Sequence, residues 1–226
     1  MNATGLLIAL AVALLTGLAF GLYPQLDLVL VAPFYDPATG WVAGGRGWYL
    51  VRMTSLWIIA LIAAPAGIAL LGKLVRPHKT TLMPGRAALL MLFTLGLGPG
   101  LLANTILKDN WGRPRPIEVT EFGGPLAFVP WWDPRGACPK NCSFVAGEPS
   151  GAFWTLAPAA LAPPHWRVLA YGAALAFGTA IGLIRAAGGG HFISDVIFAG
   201  VFMFLLIWVM HGLCYRWRTS SLISHK

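Results

Sequence analysis

Three short polar segments of an otherwise apolar chain hold its reactive side chains: residues 108–116, 142–151 and 185–195. Lys108, Arg115 and Arg185 are three cations that converge if these segments meet. A guanidinium offers a planar fork of donors to the oxygens of a tetra-oxygen anion, and an ammonium adds a point charge. A lone basic residue at the end of an apolar run is ordinarily a headgroup anchor. Three converging from two of the runs would make an anion site. Among the five histidines, only His191 has an Arg six residues before it and an Asp four residues after it. If a helix begins near His191, the i, i+4 spacing puts Asp195 on the same face. A carboxylate that accepts the Nδ1 proton fixes the tautomer and leaves Nε2 free to attack phosphorus. This is the orienting logic of a catalytic triad with the imidazole itself as nucleophile. The bland alternative is a histidine capping a helix whose first turn carries an ordinary acid. Gly147, ahead of another helix, would add backbone N–H donors and a favourable dipole.

The elements that must position these residues are membrane helices. Hydrophobic residues make up 57% of the 226, and only 11% are charged, against about 25% in a soluble domain. Runs of roughly 20 apolar residues read as spans. The walk along the chain gives helices at about Gly5–Tyr23, Met53–Leu74, Arg86–Leu107, Pro149–Leu161, Arg167–Ala187 and Ser194–Cys214. Pro163-Pro164 end the fourth, and Gly188-Gly189-Gly190 separate the last two. The expected fold is all-α: one six-transmembrane-helix bundle over 1–226, with an active site at its surface and a polar outer loop at about 108–148. The N-terminus has no Lys or Arg before its apolar run, so the first run reads as a retained helix rather than a cleaved signal.

The net charge of +8 does not point to nucleic acid, because the cations sit at the ends of apolar runs where headgroups lie. Six spans put both termini on one side, with Lys73, Arg76, Lys79, Arg86, Arg167, Arg216, Arg218 and Lys226. An equal number of cations lies on the other side, but the first set is packed into short loops and a tail, where the positive-inside rule has weight. The termini are therefore expected in the cytoplasm and the polar segments outside, together with all eight acidic residues. Cys138 and Cys142 lie in the outer loop and are expected to form a disulfide, which persists in an oxidising compartment such as the periplasm. Cys214 is expected to be a free thiol. No cluster has metal-ligand spacing, and neither a metal nor another cofactor is expected.

Lys108-x6-Arg115-Pro116 followed by Arg185-x5-His191-x3-Asp195 resembles the first and third motifs of the type-2 phosphatidic acid phosphatase superfamily. That superfamily holds bacterial membrane lipid phosphate phosphatases, lipid A phosphatases among them, and the soluble vanadium haloperoxidases. The resemblance implies a metal-independent site at the membrane surface and a phosphohistidine on His191. It implies that Lys108, Arg115 and Arg185 hold the phosphoryl group and that Asp195 orients the nucleophile. Taken with the orientation read from the loop cations, a bacterial inner membrane with the site facing the periplasm and a phosphorylated lipid as partner are expected. No protein partner is inferable.

The second motif departs from the family's Pro-Ser-Gly-His. In one register Val145-Ala146-Gly147-Glu148 occupies it, after a Ser143-Phe144 lead-in, and Glu148 stands where the acid His would be. In the other, Pro149-Ser150-Gly151 is the literal match, Ser150 binds phosphate and Ala152 replaces the His. The first is favoured. An ionised Glu148 is a poor acid, so a substrate with a good leaving group is expected: undecaprenyl diphosphate or the lipid A 1-phosphate ahead of phosphatidic acid. A lipid phosphotransferase and a non-catalytic headgroup-binding protein are the alternative readings.

Overall fold

Asn2 opens the first helix by accepting the Gly5 N–H at 3.0 Å, and α1 runs Ala3–Leu22 without a charged residue. The computed structural model describes residues 1–78 and 80–215. Lys79, Arg216, Arg218, His225 and Lys226, with the rest of 216–226, lie outside the described residues. The stretch after α1, expected as a loop, instead folds into α2 (Leu26–Val31) and a hairpin of β1 (Tyr35–Asp36) and β2 (Gly40–Trp41). Asp36 closes the hairpin by accepting the Ala38 and Thr39 N–H groups at 2.7 and 3.1 Å.

Helix α3 covers Arg46–Val75 and so begins before its apolar run does. Hydropathy marks where a helix enters lipid, not where it starts. Helix α4 (Gly85–Leu95) passes into a π-helical stretch, Gly96–Leu107, and then α5 (Lys108–Asn110). Together they form one span, Gly85–Asn110. Pro99 lies in the wide turns, which relieve the missing N–H. Asn104 Nδ2 donates to the Pro99 carbonyl at 2.7 Å.

The fourth expected helix is two short ones, α6 (Gly147–Phe153) and α7 (Leu156–Leu161). The break at Trp154-Thr155 is held by its side chains. Thr155 Oγ1 donates to Ala152 O at 2.6 Å, and Trp154 Nε1 donates to Met91 O and Thr94 Oγ1, each at 3.0 Å. Every residue of α6 except Glu148 is buried, and irregular backbone at membrane depth is tolerated where protein encloses it. Pro163-Pro164 mark a beginning rather than an end: Pro164 is the first residue of α8 (Pro164–Ala187). Proline suits that position because the first N–H of a helix has no partner to lose. Helix α9 (Ile193–Tyr215) completes the bundle.

Among the described residues, five helices are long and apolar enough to cross a membrane, and the α6–α7 pair runs among them. Outward-facing positions of α1, α3 and α8 are apolar and exposed, including Leu15, Trp57, Leu61 and Val168. This is the surface of a helical membrane protein whose solvent is lipid. The buried interior is built on Phe153, Trp154, Phe198 and Met203. The chain order brings the start of α3, the end of α5, the start of α6, the end of α8 and the start of α9 to one end, beneath a cap made of α2, the hairpin and residues 111–146.

Candidate active site

His191 lies between α8 and α9 and is fully buried. It precedes the first residue of α9, so it does not share a helical face with Asp195. Its Nδ1 instead pairs with the Ser143 carbonyl at 2.8 Å. The Asp195 carboxylate is 3.9 Å from the same atom, too far for the hydrogen bond that the sequence spacing suggested. A carbonyl only accepts, so Nδ1 carries the proton and Nε2 carries the lone pair. Nε2 is buried without a hydrogen-bond partner among the described residues. Burial, reinforced by the charges of Lys108, Arg185 and Arg115, pushes the His191 pKa well below its ordinary value, against a smaller opposing effect of the Ser143 carbonyl. The imidazole is thus neutral, the form a nucleophile requires.

The structure brings those three cations close enough for their charges to act on His191. Lys108, at the end of the Gly85–Asn110 span, is buried, and its Nζ donates to Asn141 Oδ1 at 3.4 Å. Arg115 donates from Nε and Nη2 to the Asn141 carbonyl at 3.1 and 2.7 Å. Arg185 lies against Gly190, where the atoms of a Cβ would collide with its guanidinium. Gly147 is equally constrained: a Cβ there would meet Lys108 Nζ at 2.9 Å and run into Asn104 Oδ1. The first of the two registers of the second motif is therefore the one that faces the cations.

Glu148, on the same turn, takes Arg52 at 2.6 Å and Arg185 at 3.0 Å. Its carboxylate is clamped between two guanidiniums. Ser150 is not brought to the cluster: it is buried one turn deeper, with its hydroxyl donating back to the Ala146 carbonyl at 2.7 Å. In this arrangement its hydroxyl proton is directed into the helix and away from the cations. Cys138 and Cys142 form a disulfide with their Cα atoms 5.8 Å apart. The closed loop contains Asn141, whose φ is 55°. Cys214 is free.

Asp195 belongs to a second, fully buried layer. It accepts from Ser143 Oγ at 2.5 Å, from the Phe192 N–H at 2.9 Å and from Arg113 Nη1 at 2.5 Å. Arg113 also donates to Ser194 Oγ at 2.9 Å and to Asp27 at 2.7 Å, while its plane covers the Phe192 ring at 4.4 Å. Asp27 in turn accepts the Ser194 N–H at 3.0 Å. This Asp27–Arg113–Asp195 chain ties α2, the cap and the start of α9 together and holds Ser143, and through it His191, in place. Arg52, Asn141, Ser143, Arg113 and Asp27 are absent from the site read in the sequence. Asp27 carried a signal: it is the first charged residue of the chain and sits in an apolar run, the situation that marks functional residues in membrane proteins.

A neutral buried imidazole, an unpaired Nε2 and three adjacent cations suit displacement at a phosphorus that carries anionic oxygens. Residues 87–219 match the family model described as the PAP2 superfamily. The chain belongs to this superfamily. It is 34% identical over 218 residues, 93% of this chain and 96% of the relative, to a lipid A 4'-phosphatase of Francisella tularensis subsp. novicida. It is 32% identical over 192 residues, 79% of this chain and 82% of the relative, to a lipid A 4'-phosphatase of Rhizobium leguminosarum. No solved structure matches it. The protein is a multi-pass bacterial membrane phosphatase of the PAP2 type that acts on a lipid phosphate.

Proposed function

We propose that the protein hydrolyses the 4'-phosphate of lipid A. The observation that carries the chemistry is His191 Nε2, unpaired and buried beside Lys108, Arg115 and Arg185. The position attacked comes from the relatives, which are named for the 4'-phosphate. This replaces the preference for a diphosphate or a 1-phosphate that the ionised Glu148 suggested. Glu148 is engaged by Arg52 and Arg185, so its charge serves the position of Arg185 and says nothing about the leaving group.

His191 Nε2 attacks phosphorus, the bond from phosphorus to the 4'-oxygen breaks, that oxygen takes a proton from water to leave as the sugar hydroxyl, and a phosphohistidine forms. Lys108, Arg115 and Arg185 bind the equatorial oxygens and stabilise the charge that builds on them. Water then attacks the phosphohistidine, the P–N bond breaks, inorganic phosphate leaves and neutral His191 returns. The Cys138–Cys142 disulfide and the cations of the short loops support a periplasmic site and cytoplasmic termini in the inner membrane.

The test is lipid A phosphorylated at both positions, incubated with purified protein in detergent and analysed by mass spectrometry. Loss of the 4'-phosphate alone, with phosphate released to water and little action on undecaprenyl diphosphate, is the expected result. Removal of the 1-phosphate instead, or turnover confined to undecaprenyl diphosphate, overturns the assignment.

A further inference from the structure

At the end of the bundle opposite His191, helices α3, α4, α7, α8 and α9 leave a cavity of about 590 Å³. Ile62, Met83, Arg86, Arg167, His211 and Tyr215 are among its lining residues. Both arginines sit in the first turn of a helix, Arg86 in α4 and Arg167 in α8, where the helix dipole disfavours a cation. Helix stability therefore does not account for them.

Nor does pairing within the chain. All eight acidic residues belong to the other end: α2, the hairpin, α5, the cap and the first turns of α6 and α9. Among the described residues, Arg86 lies over the Tyr215 ring at 4.8 Å, and Arg167 donates to the Ala162 carbonyl at 3.3 and 3.1 Å. Neither contact neutralises a charge. His211 stacks on Tyr215 at 4.9 Å and completes the wall. Trp166, next to Arg167, is 53% exposed, and an exposed tryptophan at a helix end marks headgroup level. The rest of the lining is apolar, as acyl chains require.

We propose that this cavity binds the phosphodiester headgroup of an anionic phospholipid in the leaflet opposite the active site, with Arg86 and Arg167 on the phosphate and His211 and Tyr215 beside it. Basic pockets between membrane helices take such headgroups. The site is separate from the phosphatase centre and does not depend on which lipid is hydrolysed.

The experiment uses the full chain in neutral detergent, with native mass spectrometry of added phosphatidylglycerol or phosphatidylcholine. Wild type is expected to retain phosphatidylglycerol selectively. Arg86→Gln/Arg167→Gln is expected to weaken that retention about tenfold or more, as two arginines at a headgroup imply. Arg115→Gln/Arg185→Gln, which alters the other end, is expected to keep it. The reverse pattern, or equal retention of phosphatidylcholine, overturns the site. So does full competition by millimolar inorganic phosphate, which would make it a site for free anion. A photoactivatable phosphatidylglycerol on wild type covers the case of a double variant that does not fold. Cross-links at 83–91 and 208–215 are expected, and cross-links confined to the His191 end overturn the proposal.

Discussion

The Ser143 carbonyl and the His191 imidazole share a hydrogen bond at 2.8 Å, which sets the tautomer of the proposed nucleophile. Asp195 acts one step away, on the Ser143 hydroxyl and on Arg113. Its substitution therefore has a structural cost and an indirect catalytic one. Asp195→Asn removes one of the two charges that balance the buried Arg113. Because Asp27 remains, a loss of about 3 kcal/mol is expected, the low end for breaking a buried pair, and denaturant unfolding in detergent measures it. The rate should fall by less than the roughly 10⁴-fold seen when the orienting carboxylate of a triad is neutralised. His191→Ala should do the opposite: turnover disappears and unfolding barely changes. A full triad-sized rate loss in Asp195→Asn with unaltered stability would restore the direct role.

The depressed His191 pKa gives a signed pH prediction. A histidine lowered below its ordinary value of about 6.5 stays neutral as pH falls through that value, so the nucleophile is not lost there. The acid limb of kcat/KM should therefore lie below pH 6.5, once corrected for the second ionisation of a phosphomonoester, near 6. A limb at or above the ordinary histidine value would mean that the imidazole is solvated and that the buried geometry does not describe the working enzyme.

The spans and the spacing of Lys108, Arg115, Arg185 and His191 are legible in the sequence because each depends on local order: hydropathy for the helices, a short interval for the motifs. Partners supplied from a distance are not legible. Asp27 meets Arg113 and Ser194 from 86 and 167 residues away, and nothing near these residues announces the others. Arg52 reaches Glu148 because α3 starts earlier than its apolar run. The break in the α6–α7 segment is equally hidden, since it is stabilised by Trp154 reaching to Met91 and Thr94 on α4. The i, i+4 reading of His191 and Asp195 failed because the helix begins at Ile193, two residues beyond the point that reading required.

The Cys138–Cys142 bridge constrains Asn141, which holds both Lys108 and Arg115. Thiol labelling of denatured, unreduced protein should find one free cysteine, Cys214. Reduction, or Cys138→Ser/Cys142→Ser, should raise KM more than it lowers kcat, because it loosens the groups that hold the phosphate and leaves His191 alone. An unchanged KM on reduction would show that Asn141 keeps its place without the bridge.

The cation cluster already supplies the charge that a divalent ion would bring, and among the described residues no three His, Cys, Asp or Glu side chains gather as ligands. Turnover should therefore survive EDTA, and vanadate should inhibit by taking a trigonal-bipyramidal form on His191. Magnesium-dependent recovery of an EDTA-treated sample would defeat this reading.

Glu148 stands where a general acid would be expected but is placed to position a cation. A general acid contributes about 10²–10⁴-fold and must carry a proton when the lipid oxygen departs. Glu148 instead bridges Arg52 and Arg185 as a carboxylate, and Arg185 in turn lies on the Gly190 backbone beside His191. The carboxylate thus positions Arg185, one of the cations proposed to bind the phosphate. Glu148→Gln keeps the shape but removes the charge that holds two guanidiniums together, so KM should rise, kcat should fall less, and the pH profile should keep its form. Arg52→Gln should raise KM in the same direction, because it leaves Glu148 to Arg185 alone and shifts the clamp. If Glu148 were the acid, Glu148→Gln would erase the alkaline limb of kcat and leave KM near wild type, and Arg52→Gln would move that limb upward by removing a charge that favours the ionised carboxylate. The two variants read together separate a positioning residue from a proton donor.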